Sequence, residues 1–99
     1  MESANMQKAK VSGKNNKHKV LIYAISTCAW CKATKKFLND NSVEYEYVDV
    51  DLVSDEDHER IREDIISRGA EPSYPTMIVD GKTVITGLRK DLIKEALEL

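Results

Sequence analysis

The chain has 99 residues, of which 41% are hydrophobic and 32% charged, and its formal net charge is −2. This length and composition are typical of one small globular domain. Without a basic excess, nucleic acid is not an expected partner. No run of about 18 apolar residues is present to cross a membrane. The N-terminus also lacks the apolar segment of a secretory signal, so we expect a cytoplasmic protein.

The first part of the chain is polar and rich in lysine and asparagine. It follows neither the alternating pattern of a strand nor the period of about 3.6 residues of a helix. We therefore expect residues 1–18 to be a disordered tail that aids solubility, with an interaction arm as the alternative. The ordered domain is expected to span residues 19–99.

The first half of this domain predicts two strands and two helices. An apolar run over residues 20–25 predicts a strand that is buried on both faces. Residues 29–40 place apolar side chains on one face and predict a helix. The alternation over residues 43–50 predicts a second strand. Ser54, followed by acidic residues, predicts the start of a second helix, for which Gly69 is the expected C-terminal cap.

The second half predicts a hairpin and a last helix. Residues 76–79 and 82–86 are predicted strands, and Asp80-Gly81 between them favours a tight hairpin turn. A helix is predicted over residues 89–98. The element order β-α-β-α-β-β-α predicts an α/β fold with a four-stranded mixed sheet. Its first βαβ unit should be parallel, and helices should cover both faces.

Cys28 and Cys31 form a Cys-x-x-Cys pair between the first strand and the first helix, which is typical of a thiol–disulfide redox motif. Cys28 would lie at the helix N-terminus, where free N–H groups and the helix dipole lower the pKa of a thiol. Lys32 in the first turn would add to this effect. Cys31, shielded by the helix, would keep a higher pKa. We expect Cys28 to attack a disulfide and Cys31 to resolve the mixed disulfide.

A cysteine pair with this spacing has three other possible interpretations. It can be half of a zinc site, but structural zinc usually takes four ligands, and His18 and His58 show no ligand spacing. A structural disulfide is disfavoured in the cytoplasm. Two buried, unreactive thiols are the third alternative. The redox pair is favoured over all three, and no metal is expected.

Three motifs in the ordered domain, taken together, resemble those of a known family. They are Cys28-Ala29-Trp30-Cys31 after a strand, Ser73-Tyr74-Pro75 before a strand, and the Asp80-Gly81 hairpin followed by Thr86-Gly87 and the last helix. In this order and spacing they resemble the glutaredoxin family of the thioredoxin-fold superfamily. The resemblance implies a thioredoxin fold and a disulfide reductase that acts on protein or small-molecule disulfides. It implies no bound cofactor beyond the redox-active cysteine pair.

The resemblance also implies a thiol-binding site. Pro75 aligns with the family's cis-proline beside the cysteines, and the backbone of Tyr74 with the group that pairs with a bound thiol or peptide. Thr27 would flank the nucleophile, and Arg62 aligns with a residue that meets a glutathione carboxylate. Taken alone, Pro75 would be a strand-entry proline and Arg62 a solvated charge. The expected site also includes Trp30, Lys32, Gly87, Leu88 and Arg89.

Several positions depart from the family pattern. Ala29 and Trp30 replace the common Pro-Tyr between the cysteines. Ile25 stands where a basic residue usually helps to hold glutathione. Leu88 and Arg89 stand where the family grips the second glutathione carboxylate. These departures leave the identity of the electron donor open.

The donor has three candidates: glutathione, another low-molecular-weight thiol, and a thioredoxin reductase. The third arises because residues 87–91 resemble the Gly-Phe-Arg-x-Asp run of glutaredoxin-like redoxins that serve ribonucleotide reductase. Two other classes of function remain as alternatives, a non-catalytic interaction module and a metal or iron–sulfur carrier. We expect the protein to be a monomer.

Overall fold

A computed structural model describes residues 8–99. Within them, three helices pack on a five-stranded sheet. In chain order the elements are β1 (Ala9–Val11), β2 (Val20–Ala24), α1 (Ala29–Asp40), β3 (Tyr45–Asp49), α2 (Asp55–Ser67), β4 (Thr76–Val79), β5 (Thr83–Thr86) and α3 (Lys90–Leu97).

The sheet has the strand order β1-β3-β2-β4-β5. Strands β2 and β3 are parallel and are connected through α1, whereas β4 is antiparallel to both β2 and β5. The predicted mixed α/β fold of the thioredoxin type is therefore confirmed. The sheet has one strand more than the four that were predicted.

The additional strand lies in the segment that was predicted to be disordered. β1 pairs antiparallel with β3, with Ala9 opposite Tyr47 and Val11 opposite Tyr45. The sequence predicted disorder over residues 1–18, and this prediction is wrong from Ala9 onward, where the strand begins. Residues 1–7 lie outside the described part of the chain. A three-residue edge strand is stabilised through its backbone, and it is too short to show a side-chain period.

The chain after β1 stays close to the sheet, and Gly13 allows the approach. A Cβ atom at Gly13 would lie 2.5 Å from the carbonyl oxygen of Ser42 and 2.7 Å from the backbone nitrogen of Glu44. The neighbouring Asn15 exchanges backbone hydrogen bonds of 2.9 Å with the same two residues. Only glycine fits this contact without displacing the backbone. We call residues 9–19 the N-terminal segment.

His18 attaches the end of the N-terminal segment to two other elements. Its Nδ1 lies 2.7 Å from a carboxylate oxygen of Asp80, and its Nε2 lies 2.9 Å from one of Glu98. The backbone N–H of Lys19 donates to Asp80 at 2.9 Å. These bonds raise the pKa of His18, with the hydrogen bond to Asp80 as the largest cause. We call His18, Asp80 and Glu98 the histidine clamp.

The core is divided between the two faces of the sheet, as predicted. On one face, α1 and α3 bury residues against the inner strands, and on the other face α2 does so. The first cluster includes Ile22, Cys31, Leu38, Tyr45, Met77, Ile93 and Leu97; the second includes Tyr23, Val48, Val50, Ile61, Ile65 and Ile78.

Local capping and turn chemistry agree with the predictions. The Ser54 hydroxyl caps α2 by accepting from the backbone N–H of Asp57 at 3.1 Å. Gly69, just after α2, has φ +87°, as a glycine that ends a helix commonly does. Asp80 and Gly81 both have positive φ, as a tight hairpin turn requires. Within residues 8–99, no helix has the length and apolar character needed to cross a membrane.

Candidate active site

The loop from β2 to α1 is held in place by a carboxylate at the end of β3. Asp51 accepts a 2.9 Å hydrogen bond from the backbone N–H of Ser26 and a second one from its hydroxyl. These bonds lower the pKa of Asp51. The backbone N–H of Cys28 donates to the carbonyl of Ile25 at 3.1 Å. The loop that leads to Cys28 is therefore attached to the segment after β3 at Ser26 and closed by an internal turn from Ile25 to Cys28.

Cys28 is the N-cap residue of α1. Its Sγ accepts a hydrogen bond from the backbone N–H of Cys31 at 3.2 Å. The pKa of the Cys28 thiol is lowered, first by the Cys31 thiol and then by the backbone N–H groups of Cys31 and Trp30. Donors at a helix N-terminus stabilise a thiolate. Lys32 was expected to add to this effect, but it is exposed and is not one of these groups.

Cys31 has the opposite environment. Its side chain is fully buried, and its Sγ accepts a hydrogen bond from the backbone N–H of Ile25 at 3.4 Å. Burial raises the pKa of the Cys31 thiol to about 11. Both cysteines are free thiols in the structure. The expected asymmetry is present, with one partly exposed thiol whose pKa is lowered and one buried thiol whose pKa is raised.

A groove of about 240 Å³ includes Trp30, the residue that directly precedes Cys31 in the chain. It is lined by Trp30, Tyr74, Pro75, Gly87 and Leu88, all of which the sequence resemblance placed in one site. The Tyr74–Pro75 peptide bond is cis, as the resemblance implied. The backbone N–H of Gly87 donates to the carbonyl of Pro75 at 2.8 Å and joins the two walls. Trp30 remains 66% exposed at the mouth of the groove.

The other four predicted residues do not line this groove. Thr27 is exposed and precedes Cys28, and Lys32 is exposed on α1. Arg62 is exposed on α2, and its charge acts on the Tyr74 hydroxyl. Arg89 is the exposed N-cap residue of α3, next to Leu88. Of these four, Arg62 acts on Tyr74 and Arg89 adjoins Leu88, so these two arginines are linked to residues that line the groove.

Sequence reasoning missed two charged residues that support the site, Asp51 and Lys35. Asp51 follows β3, the parallel neighbour of the strand that leads to Cys28. Because the carboxyl ends of parallel strands meet at one edge of a sheet, an acid at that position is a detectable signal. Lys35 lies four residues after Cys31, a spacing that places both on one helix face. Its ammonium group lies 3.3 Å from a carboxylate oxygen of Asp49.

The alternative of a zinc site depends on the side chains that could ligate the metal in the described region. Across residues 8–99, no three His, Cys, Asp or Glu side chains come together as metal ligands would. His18 contacts Asp80 and Glu98, whereas His58 is exposed on α2.

The chain is similar to known proteins both in sequence and in structure. The glutaredoxin family model matches residues 20–84. A glutaredoxin-like 8.6 kDa protein in the rubredoxin operon of Clostridium pasteurianum is 32% identical over 79 residues, which cover 80% of this chain and 97% of that protein.

Two solved structures from Methanosarcina are similar along most of their length. The glutaredoxin from M. mazei Go1 has a TM-score of 0.82 and 37% identity, covering 94% of this chain and 89% of that one. The methanoredoxin from M. acetivorans has a TM-score of 0.76 and 38% identity, covering 82% of this chain and 85% of that one. The chain therefore belongs to the glutaredoxin family.

Proposed function

We propose that the protein reduces protein or small-molecule disulfides through a two-cysteine exchange. The observation that carries the proposal is the asymmetry of the cysteine pair. Cys28 caps a helix and has a lowered pKa, whereas Cys31 is buried and has a raised one. The thiolate is the attacking species in disulfide exchange. Cys28 is therefore the nucleophile, and Cys31 is the resolving thiol.

The exchange takes place in two steps. The Cys28 thiolate attacks one sulfur of the substrate disulfide, forms a mixed disulfide and releases the first substrate thiolate. Cys31 then loses its proton and attacks the Cys28 sulfur. This step releases the second substrate thiolate and forms the Cys28–Cys31 disulfide. Two electrons pass to the substrate, which leaves as two thiols after protonation.

The groove supplies a place for the substrate at the first turn of α1, since Trp30 from this turn lines it. Its walls are mainly apolar and aromatic. Two of the lining residues, Tyr74 and Pro75, directly precede β4. An extended substrate segment would pair with the backbone of Tyr74, as a short added strand does. Trp30 and Leu88 would cover the side chain next to the substrate disulfide.

For the electron donor, we propose a low-molecular-weight thiol. The groove of about 240 Å³ lies just below the usual range for ligand pockets, roughly 300–1,000 Å³. It is large enough for the sulfur end of a small thiol, and the remainder of a larger one such as glutathione would extend toward Arg62 or Arg89. Ile25 and Leu88 offer no charge to a carboxylate, so glutathione is expected to bind weakly.

A second candidate donor is a thioredoxin-reductase-type enzyme, with ribonucleotide reductase as the acceptor. The Gly87–Asp91 run favours it, since this run resembles that of redoxins with that partner. Leu88 of this run lines the groove, where it would contact a protein partner directly.

Disulfide turnover with different donors tests these proposals. A mixed-disulfide substrate would be supplied with NADPH and either glutathione plus glutathione reductase or thioredoxin reductase alone, and other small thiols would be tested in parallel. Dithiothreitol as donor is the control for intrinsic activity. Turnover with a small thiol is the expected result. Turnover with thioredoxin reductase alone would favour the second candidate, and no turnover with dithiothreitol would contradict the function itself.

A further inference from the structure

The resolving step presents an electrostatic problem. Cys31 must become a thiolate to attack Cys28, yet its side chain is fully buried and its pKa is raised to about 11. A buried anion is costly unless a positive charge or a hydrogen-bond donor stabilises it. The backbone N–H of Ile25 supplies one donor at 3.4 Å. A cation held beside Cys31 would supply the charge.

Lys35 is the cation whose charge acts on Cys31. It follows Cys31 by one helical turn, so both side chains lie on the same face of α1. The Lys35 side chain is only 20% exposed and that of its partner Asp49 only 18%. The ammonium group lies 3.3 Å from a carboxylate oxygen of Asp49 and 3.7 Å from the centre of the Tyr47 ring. Two contacts from β3 therefore fix a side chain that is usually mobile.

Asp49 lies in the strand next to the one whose end contacts the Cys31 sulfur. Asp49 pairs with Ala24 in the parallel register of β2 and β3. The next residue after Ala24 is Ile25, whose N–H donates to the Cys31 sulfur. The Lys35–Asp49 pair thus lies one strand away from the backbone that holds this thiol. The charge of Lys35 acts on Cys31 in the direction that favours its thiolate.

Other charged groups also face this region. Asp51, on the segment after β3, interacts with Lys35 and is held by Ser26. Cys28 faces Cys31 from the start of α1, and its thiolate opposes ionisation of Cys31. During the resolving step Cys28 is bonded to the substrate and carries no charge. The influence of Lys35 on Cys31 is then less opposed than in the free dithiol.

We propose that Lys35, held by Asp49 and Tyr47, is a positioning residue for the resolving step, in which its ammonium group stabilises the Cys31 thiolate. The inference rests on the proposed two-cysteine function. In this step the Cys31 S–H bond breaks and its proton passes to solvent. The Cys31 sulfur bonds to the Cys28 sulfur, the Cys28–substrate bond breaks, and the released thiolate takes up a proton.

Reaction of the reduced protein with 5,5′-dithiobis(2-nitrobenzoate) separates the two steps. Attack by Cys28 releases a first thionitrobenzoate, and resolution by Cys31 releases a second, so rapid mixing gives two phases. In Lys35→Met, which keeps an unbranched stem without the charge, the second phase should slow about threefold to fivefold near neutral pH. Its pH midpoint should rise, and the first phase should stay within about twofold.

Three further variants separate charge from structure. Lys35→Arg keeps the charge and should retain a second phase close to that of the wild type. Lys36→Met removes the adjacent, exposed lysine, which pairs with Asp40, and should change neither phase. Asp49→Asn removes the opposing negative charge and leaves an amide acceptor for Lys35. It should shift the pH midpoint of the second phase downward, opposite to Lys35→Met.

The opposite shifts distinguish an electrostatic role from a structural one, because a loss of packing would slow the second phase in both variants. An unchanged pH midpoint in both Lys35→Met and Asp49→Asn would overturn the inference. Should Lys35→Met fail to fold, as judged by thermal unfolding, the sign of the Asp49→Asn shift decides alone. A wild-type protein that shows no second phase would contradict the proposed function itself.

Discussion

The two ends of the central strand β2 surround their ionisable side chains with different environments. At its start, the histidine clamp joins one imidazole to two carboxylates. At its end, the loop to α1 presents Cys28 with donors that favour its anion and places Cys31 in a buried site that disfavours its own. The clamp end pairs an imidazole with two exposed carboxylates, and its expected role is in stability. The cysteine end keeps two thiols in unequal states, which is the condition for directed exchange.

The largest expected effect comes from replacing either cysteine, which removes the difference between the two thiols. Cys28→Ser should reduce disulfide turnover to the uncatalysed rate, because a serine hydroxyl does not replace the attacking thiolate. Cys31→Ser should keep mixed-disulfide formation at Cys28 but lose the release of the second substrate thiol. Mass spectrometry of the trapped mixed disulfide checks this difference. Equal loss of both steps in the two variants would contradict the assigned roles.

A smaller effect is expected from the groove next to the cysteines. Trp30→Ala removes a side chain that is 66% exposed at the groove mouth. We expect the KM for a protein disulfide to rise roughly fivefold to tenfold, since an aromatic contact of this kind is worth about 1 kcal/mol. Leu52→Ala is the matched control, because Leu52 is 71% exposed and does not line the groove. Equal KM changes in both variants would argue against docking at Trp30.

At the other end, the N-terminal segment is expected to affect stability and leave the redox chemistry unchanged. Gly13→Ala places a methyl group 2.5 Å from the carbonyl oxygen of Ser42. Such overpacking should lower the free energy of unfolding by about 1–3 kcal/mol, measured by urea denaturation. Ser12→Ala, at an exposed position, should have little effect. A slower reaction of Cys28 in folded Gly13→Ala would show that the two ends are coupled.

The smallest expected effect is a pH-dependent stability from the histidine clamp. Because the folded state raises the pKa of His18, the clamp contributes fully below the unfolded value of about 6.5. It is lost as pH rises through the folded value. The pKa of Asp80 is lowered by the same pair, so the contribution also disappears as pH falls below about 4. The difference in urea midpoint between wild type and His18→Gln should therefore be greatest near pH 5 to 6.

A matched variant controls for general charge effects at this end of the sheet. Lys82→Gln removes a cation close to Asp80 and leaves His18, Asp80 and Glu98 in place, so its effect should be nearly constant from pH 5 to 8. A difference for His18→Gln that does not decrease above neutral pH would contradict a protonated clamp.

Local chemistry made most of the fold and the reactive centre predictable from sequence. Cys28 and Cys31 lie at the start of a helix because a strand-forming run precedes them and a helix-forming run includes them. Ser54 caps α2, and Asp80-Gly81 forms the hairpin turn, since each depends on residues only a few positions away. The resemblance to the family added the groove and the position of Pro75. These features depend on short-range patterns, which a single sequence displays directly.

Only the tertiary structure decided the contacts between distant parts of the chain. β1 pairs with β3 through backbone groups that all residues share, and its three residues are too few to show a side-chain pattern. The bonds between Ser26 and Asp51 and between Lys35 and Asp49 join side chains that are separated by 25 and 14 positions. Their partners depend on the register of β2 and β3. The sequence was enough to predict the cysteine pair at the start of a helix, and the packing of the sheet decided which charges surround it.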